Sequence, residues 1–198
     1  FSKVGDENII QIDFGHNKTI MNIISNNTLV YTRCIYIGTG LMIRSISEIL
    51  GISYKQATTV FERLNLDLTS YENNVHRHFY KTLEIPKPKL KLIFNSANEI
   101  IHDLSEQIML TLKSFFVDYG SIEFSRVMLS GGGSNLIGIG GIFSEHISAP
   151  IVALPFLDDY QDEHIKAVFP IAFGTALSCI NGRRTINYLK GEFSVTGL

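Results

Sequence analysis

The sequence predicts a mixed α/β sheet protein. Three observations carry that prediction: a strand meander opens the chain, the hydrophobic period then lengthens to that of helices, and the last third alternates strand with helix. In the meander, Ile9, Ile10 and Ile12 run into Asp13-Phe14-Gly15, and an apolar run resumes from Thr19 to Ile24. Ser25-Asn26-Asn27 marks a second turn before Thr28–Ile37, a stretch of Val, Tyr, Ile and Thr that suits a pleated surface. After Gly38-Thr39-Gly40 the period changes, with Leu41, Ile43, Ile46, Ile49 and Leu50 at helical spacing until Gly51 stops them. Ser53 is placed to cap a second helix over Tyr54–Leu64. The break Ile85-Pro86-Lys87-Pro88 precedes one long apolar stripe from Leu90 through Ile101 and Ile108 to Phe115, which predicts the longest helix. Arg126–Ser130 then reads as a buried strand, Leu136–Ile147 as helical, Pro150–Pro155 as a strand and Phe169–Ile180 as a helix with small residues for close packing.

Composition bounds the function. With 198 residues, 45% of them hydrophobic, the chain holds enough apolar surface for a substantial core, which excludes a disordered segment. A net charge of −2 gives no bulk attraction for nucleic acid or an anionic membrane surface, so nucleic acid is not an expected partner. Cys34 and Cys179 have neither zinc-ligand spacing nor the density of a disulfide framework, which fits a reducing cytosol. Val127–Ser144 is uncharged, yet its six glycines suit a strand, loop and buried helix better than a membrane span. No leader peptide is read at Phe1, and the missing initiator Met reads as the start of a fragment.

Two polar loops can bind anions. Asp13-Phe14-Gly15-His16-Asn17-Lys18-Thr19 is a hairpin whose backbone N–H groups and Gly15 permit close approach to a phosphate. Lys18 can add a point charge, and Asp13 at the strand end can hold a hydrated Mg²⁺. The same residues also make an ordinary β-turn. Ser130-Gly131-Gly132-Gly133-Ser134-Asn135 follows a strand and precedes a predicted helix, so its glycines can lie flat against a nucleotide while Ser134 or Asn135 caps the helix. Neither a Walker lysine nor a dinucleotide fingerprint completes this loop, and a tight strand-to-helix turn has the same composition.

Asp13-x-Gly15-x-x-x-Thr19, followed by Leu129-Ser-Gly-Gly-Gly-Ser-x-Leu-x-Gly-Ile139, resembles the second phosphate loop and the adenosine loop of the actin, Hsp70 and sugar-kinase superfamily. Arg33–Gly38 leading into Leu41–Ile46, the helix entry Gly51–Ala57, and Pro150–Pro155 resemble the bacterial branch that holds FtsA, PilM and GspL. Ile186–Phe193 resembles the segment that closes the cytoplasmic domain of the type II secretion protein GspL, and places the likeness closest to that protein. The resemblance implies an α/β actin-like ATPase (ribonuclease H-like) fold, with this chain as its C-terminal half. Residues 8–37 and 126–182 are then a core sheet lobe, 38–125 an inserted, mainly helical subdomain, and 183–198 a tail.

The resemblance also implies a vestigial or weak nucleotide site built from Asp13, Gly15, Lys18, Thr19, Gly131, Gly132, Gly133 and Ser134, with Asp13 as the Mg²⁺ contact only if nucleotide binds. The pattern departs from active relatives at His16, Asn17 and Lys18, which are bulky for a phosphate hairpin, and at Thr58 and Phe61, where relatives carry adenosine contacts. No catalytic residue and no cofactor is therefore expected, although ATP with Mg²⁺ fits the alternative. The implied role is a cytoplasmic scaffold of a type II secretion inner-membrane platform. It would dock the secretion or pilus ATPase and sister platform proteins and reach the membrane through a segment outside this chain, with a homodimer possible. The alternatives are a nucleotide switch of the PilM or FtsA kind and, less supported by any visible carboxylate, a sugar- or acetate-type kinase. Candidate docking surfaces are the acidic run Asp158–Glu163 and the exposed edge of the meander. His76 and His78 lack a third metal ligand at convincing spacing.

Overall fold

The structure is a computed structural model, and it describes residues 7–66, 85–153 and 169–180. His76, His78, the run 158–163 and the GspL-like segment 186–193 lie outside the described residues.

Three antiparallel strands open the fold: β1 (Asn8–Phe14), β2 (Thr19–Ser25) and β3 (Thr28–Ile35). The β2–β3 link is a two-residue turn in which Asn26 (φ 49°) and Asn27 (φ 61°) are both left-handed, the geometry that matches the natural twist of a hairpin. β4 (Arg126–Ser130) adds parallel to β1, and β5 (Ile151–Ala153) adds parallel to β4. The sheet order is β3-β2-β1-β4-β5, so the mixed α/β sheet expected from the sequence is present.

Helix α1 (Thr39–Leu50) ends at Gly51, whose φ of 69° is the left-handed stop that glycine accepts without strain. Helix α2 (Tyr54–Phe61) begins with a full capping box, the Ser53 side chain accepting from the Gln56 amide and the Gln56 side chain accepting from the Ser53 amide. It ends three residues before the expected Leu64. Helix α3 (Lys87–Tyr119) starts inside the Pro-rich stretch, which is a helix entry and not only a break, because a proline in the first turn gives up no hydrogen bond. Its buried stripe includes Leu90, Ile93, Phe94, Ala97, Ile101, Leu104, Ile108, Leu112 and Phe115. That stripe packs against α1 as well as against β3, where Tyr31 meets Phe115 edge to face at 5.7 Å. Ile10, Ile12, Phe14, Met21, Ile23, Val127 and Leu129 of the sheet join these helices in one core.

The glycine stretch turns differently from expectation. A 3-10 turn (Gly132–Asn135) follows β4 directly, and helix α4 covers only Ile139–Ser144, starting at a left-handed Gly138 (φ 93°). Ser134 caps no helix. Its hydroxyl donates to the Gly131 carbonyl at 2.7 Å and so closes the turn. Helix α5 (Pro170–Ile180) belongs to a second compact unit that begins at Phe169. Among the described residues no helix is long and apolar enough to cross a membrane.

Candidate functional site

Parallel pairing of β1 with β4 puts Asp13 opposite Ser130 at the same end of the sheet. The hairpin after β1 and the glycine loop after β4 therefore leave the sheet side by side, at the strand ends where open α/β folds form their crevices. Their contact is close enough to require glycine. A Cβ on Gly131 (φ 84°) would lie 2.5 Å from the Phe14 carbonyl oxygen and against the Asp13 carboxylate, and one on Gly133 would meet the Phe14 ring.

The Asp13 carboxyl is partly buried, and that desolvation raises its pKa above the ordinary carboxylate value; the neighbouring Ser130 hydroxyl offsets part of the rise. Ser130 is 1% exposed, and its Oγ closes no hydrogen bond of normal geometry. Desolvation favours the neutral acid, so Asp13 would hold Mg²⁺ only if a nucleotide brought the ion to this corner.

The hairpin fits a phosphate less well. The Gly15 amide donates to the carbonyls of Lys18 and Asp13, both at 3.1 Å, and is thus already used inside the turn. The carbonyls of Gly15 and His16 accept from the amides of Thr39 and Gly40, so the hairpin caps α1 with its own backbone. His16 turns its ring to Tyr54, with Nε2 3.0 Å from the phenolic oxygen. Thr19 is fully buried, and its hydroxyl donates to the Ile37 carbonyl at 2.7 Å. His16, Asn17 and Lys18 are exposed at the hairpin tip.

A pocket of about 360 Å³ opens beside Gly132, lined also by Phe61, Glu62, Asn135 and Leu136. Its position has a backbone cause: the Leu66 amide donates to the Ile137 carbonyl at 2.8 Å, and Asn65 bridges Ile137, so the segment after α2 is tied to the turn after the glycines. Phe61, 7% exposed, joins the core and forms one wall, while Thr58 spends its hydroxyl on the Tyr54 carbonyl within α2. Asn135, expected as a helix cap, is instead a polar wall residue of this pocket, and Glu62 is a second one that the sequence reading did not single out. Glu62 directly follows Phe61, so its neighbour in the chain was the available signal.

No protein-family model and no curated protein matches the chain by sequence. Solved structures match by shape. The PilM-PilN type IV pilus biogenesis complex superposes with a TM-score of 0.60 at 17% identity, over 87% of this chain and 46% of the matched one. MreB 5 of Spiroplasma citri bound to AMPPNP gives 0.54 at 17% identity, over 92% of this chain and 57% of the other. Ta0583, an archaeal actin homologue, gives 0.54 at 19% identity, over 90% and 50%. The fold is that of the actin-like ATPases. This chain spans about half the length of the structures it matches. The hairpin after β1 and the glycine loop after β4 lie at one end of the sheet, as expected of the two loops from the sequence.

Proposed function

We propose that the chain is half of an actin-like scaffold, which docks partner proteins of a secretion or pilus platform at the cytoplasmic face of a bacterial inner membrane and does not hydrolyse ATP. The observation that carries this reading is the state of the phosphate hairpin. Its Gly15 amide is consumed inside the turn, its carbonyls cap α1, and His16 is held by Tyr54. Phosphoryl transfer relies on preorganised donors aimed at the phosphates, and the Gly15 amide, already bonded inside the turn, is not one of them. Phe61 at the pocket wall adds an apolar face where a nucleotide-binding relative carries a polar contact. The likeness to the pilus complex supports a protein-docking role, and the type II secretion platform remains the finer assignment within it.

A second reading has its own support. Asp13 and the unpaired Ser130 hydroxyl flank the glycine loop, which suits weak binding of a nucleotide with Mg²⁺ and a switch in place of an engine. Co-purification of the longer native protein from membranes tests the proposal. Recovery of a secretion or pilus ATPase, or of inner-membrane platform subunits, is expected. Recovery of metabolic enzymes alone would overturn it.

A further inference from the structure

Strand β3 ends the sheet, with β2 on one side and no strand on the other among the described residues. An edge strand carries a row of backbone donors and acceptors ready for a further strand. Natural edges are usually blunted by lysine, proline or a covering element. β3 (Thr28–Ile35) has no proline or lysine, its one charge is Arg33, and its bulge at Val30 lies before the stretch Arg33–Ile35.

Beside this edge runs an open groove of about 390 Å³, lined by Arg33, Cys34, Ile35, Tyr36 and Ile37 on one side and Asp103, Glu106 and Gln107 of α3 on the other. Five consecutive residues line it. Arg33, Cys34 and Ile35 close β3, and Tyr36 and Ile37 follow it; consecutive strand side chains point to opposite faces, so a groove that touches all three strand residues runs along the main chain at that end of β3. The opposite main-chain edge is already taken by β2, which leaves this one for a guest.

The α3 wall is acidic. Glu99, Asp103 and Glu106 are all exposed on successive turns, at spacings where like charges face each other and weaken a helix. Asp103 and Glu106 form no ion pair among the described residues, even with Arg33 across the groove. The exposed His102 completes a cluster whose ligand atoms lie within 4.8 Å of one another. Such a wall favours a cationic side chain, and a free strand edge favours an extended backbone. The geometry points to β-strand addition: the groove takes an extended, basic segment of a partner protein, its main chain paired to β3 and its alternate Lys or Arg side chains laid on Asp103 and Glu106.

This deepens the scaffold reading by naming a surface and the chemistry of its partner, and it is testable on this chain without the membrane platform. The probe is a nine-residue peptide of alternating lysine and threonine, and a second peptide with the same sequence but every backbone amide N-methylated. The first is expected to bind and to shift the backbone amide resonances of residues 28–37. The N-methylated peptide keeps the charges and loses the donors, so binding at least about tenfold weaker is expected. Asp103→Lys with Glu106→Lys should also weaken binding about tenfold or more, and Asp103→Asn with Glu106→Gln gives the same direction if charge reversal disturbs folding. Equal binding of both peptides would show charge attraction without strand pairing and would overturn the inference. So would shifts confined to other strands, or zinc chloride binding at this cluster in preference to the peptide. A positive peptide result with no platform protein recovered from membranes would remove the secretion assignment and leave the docking edge.

Discussion

Gly131→Ala should cost this fold far more than Gly132→Ala, one residue away. At Gly131 the backbone sits at φ 84° and ψ 163°, a region essentially reserved for glycine, where a side chain costs about 1–3 kcal/mol. A new Cβ would also lie 2.5 Å from the Phe14 carbonyl oxygen and 2.7 Å from its carbon, both backbone atoms of a central strand that cannot swing aside. Overpacking of that kind adds about 1–3 kcal/mol. The sum, about 2–6 kcal/mol, is a large share of the roughly 5–15 kcal/mol that holds a typical domain. At Gly132 a Cβ meets nothing within 4 Å, so the same substitution should change stability by less than about 1 kcal/mol. Urea denaturation followed by far-ultraviolet circular dichroism resolves the two. With a slope of about 2 kcal/mol per molar, Gly131→Ala should lower the midpoint by about 1–3 M and Gly132→Ala should leave it nearly fixed. Equal shifts for both variants would refute the loop-against-strand packing that brings the two loops together.

Two further outcomes follow from the same geometry. Ile101 is fully buried in the α3 stripe, so Ile101→Asp should destabilise by several kcal/mol or prevent folding, seen as loss of the cooperative urea transition. Asp13 holds its proton more tightly folded than unfolded, so its contribution is complete below the unfolded pKa of about 4 and is lost as pH rises through the higher folded value. Asp13→Asn should therefore flatten the fall in stability just above about pH 4, measured as urea midpoint against pH, and leave lower pH unchanged.

Local chemistry made much of this fold legible. Asn26-Asn27 announced a tight hairpin, Ser53 with Gln56 announced a helix start, and the Leu90–Phe115 stripe announced α3, because each rests on neighbours a few residues apart. Gly131 and Gly133 were legible as a loop, but their partner was not: Phe14 stands against them only because β1 and β4 pair in parallel. The helix expected from Leu136 begins late because Gly138 takes a left-handed conformation that interrupts the run, and hydrophobic period carries no record of φ. Glu62 and Asn135 meet at one pocket through the Leu66–Ile137 backbone contact, and that meeting is a tertiary event that neither residue's neighbours in the chain announce. The acidic groove beside β3 joins residues about seventy positions apart for the same reason.

The central proposal is that this chain of actin-like fold docks proteins and does not work nucleotide. Isothermal calorimetry with Mg²⁺-ATP, on this chain and on the longer native protein, tests it most directly. Losing several phosphate and base contacts, at about 1.5–3 kcal/mol each, predicts binding near millimolar or weaker for both, and no phosphate release over hours. Low-micromolar binding by the longer protein would contradict the scaffold account in favour of a nucleotide switch, and the same affinity in this chain alone would contradict the reading of the hairpin and the Phe61 pocket.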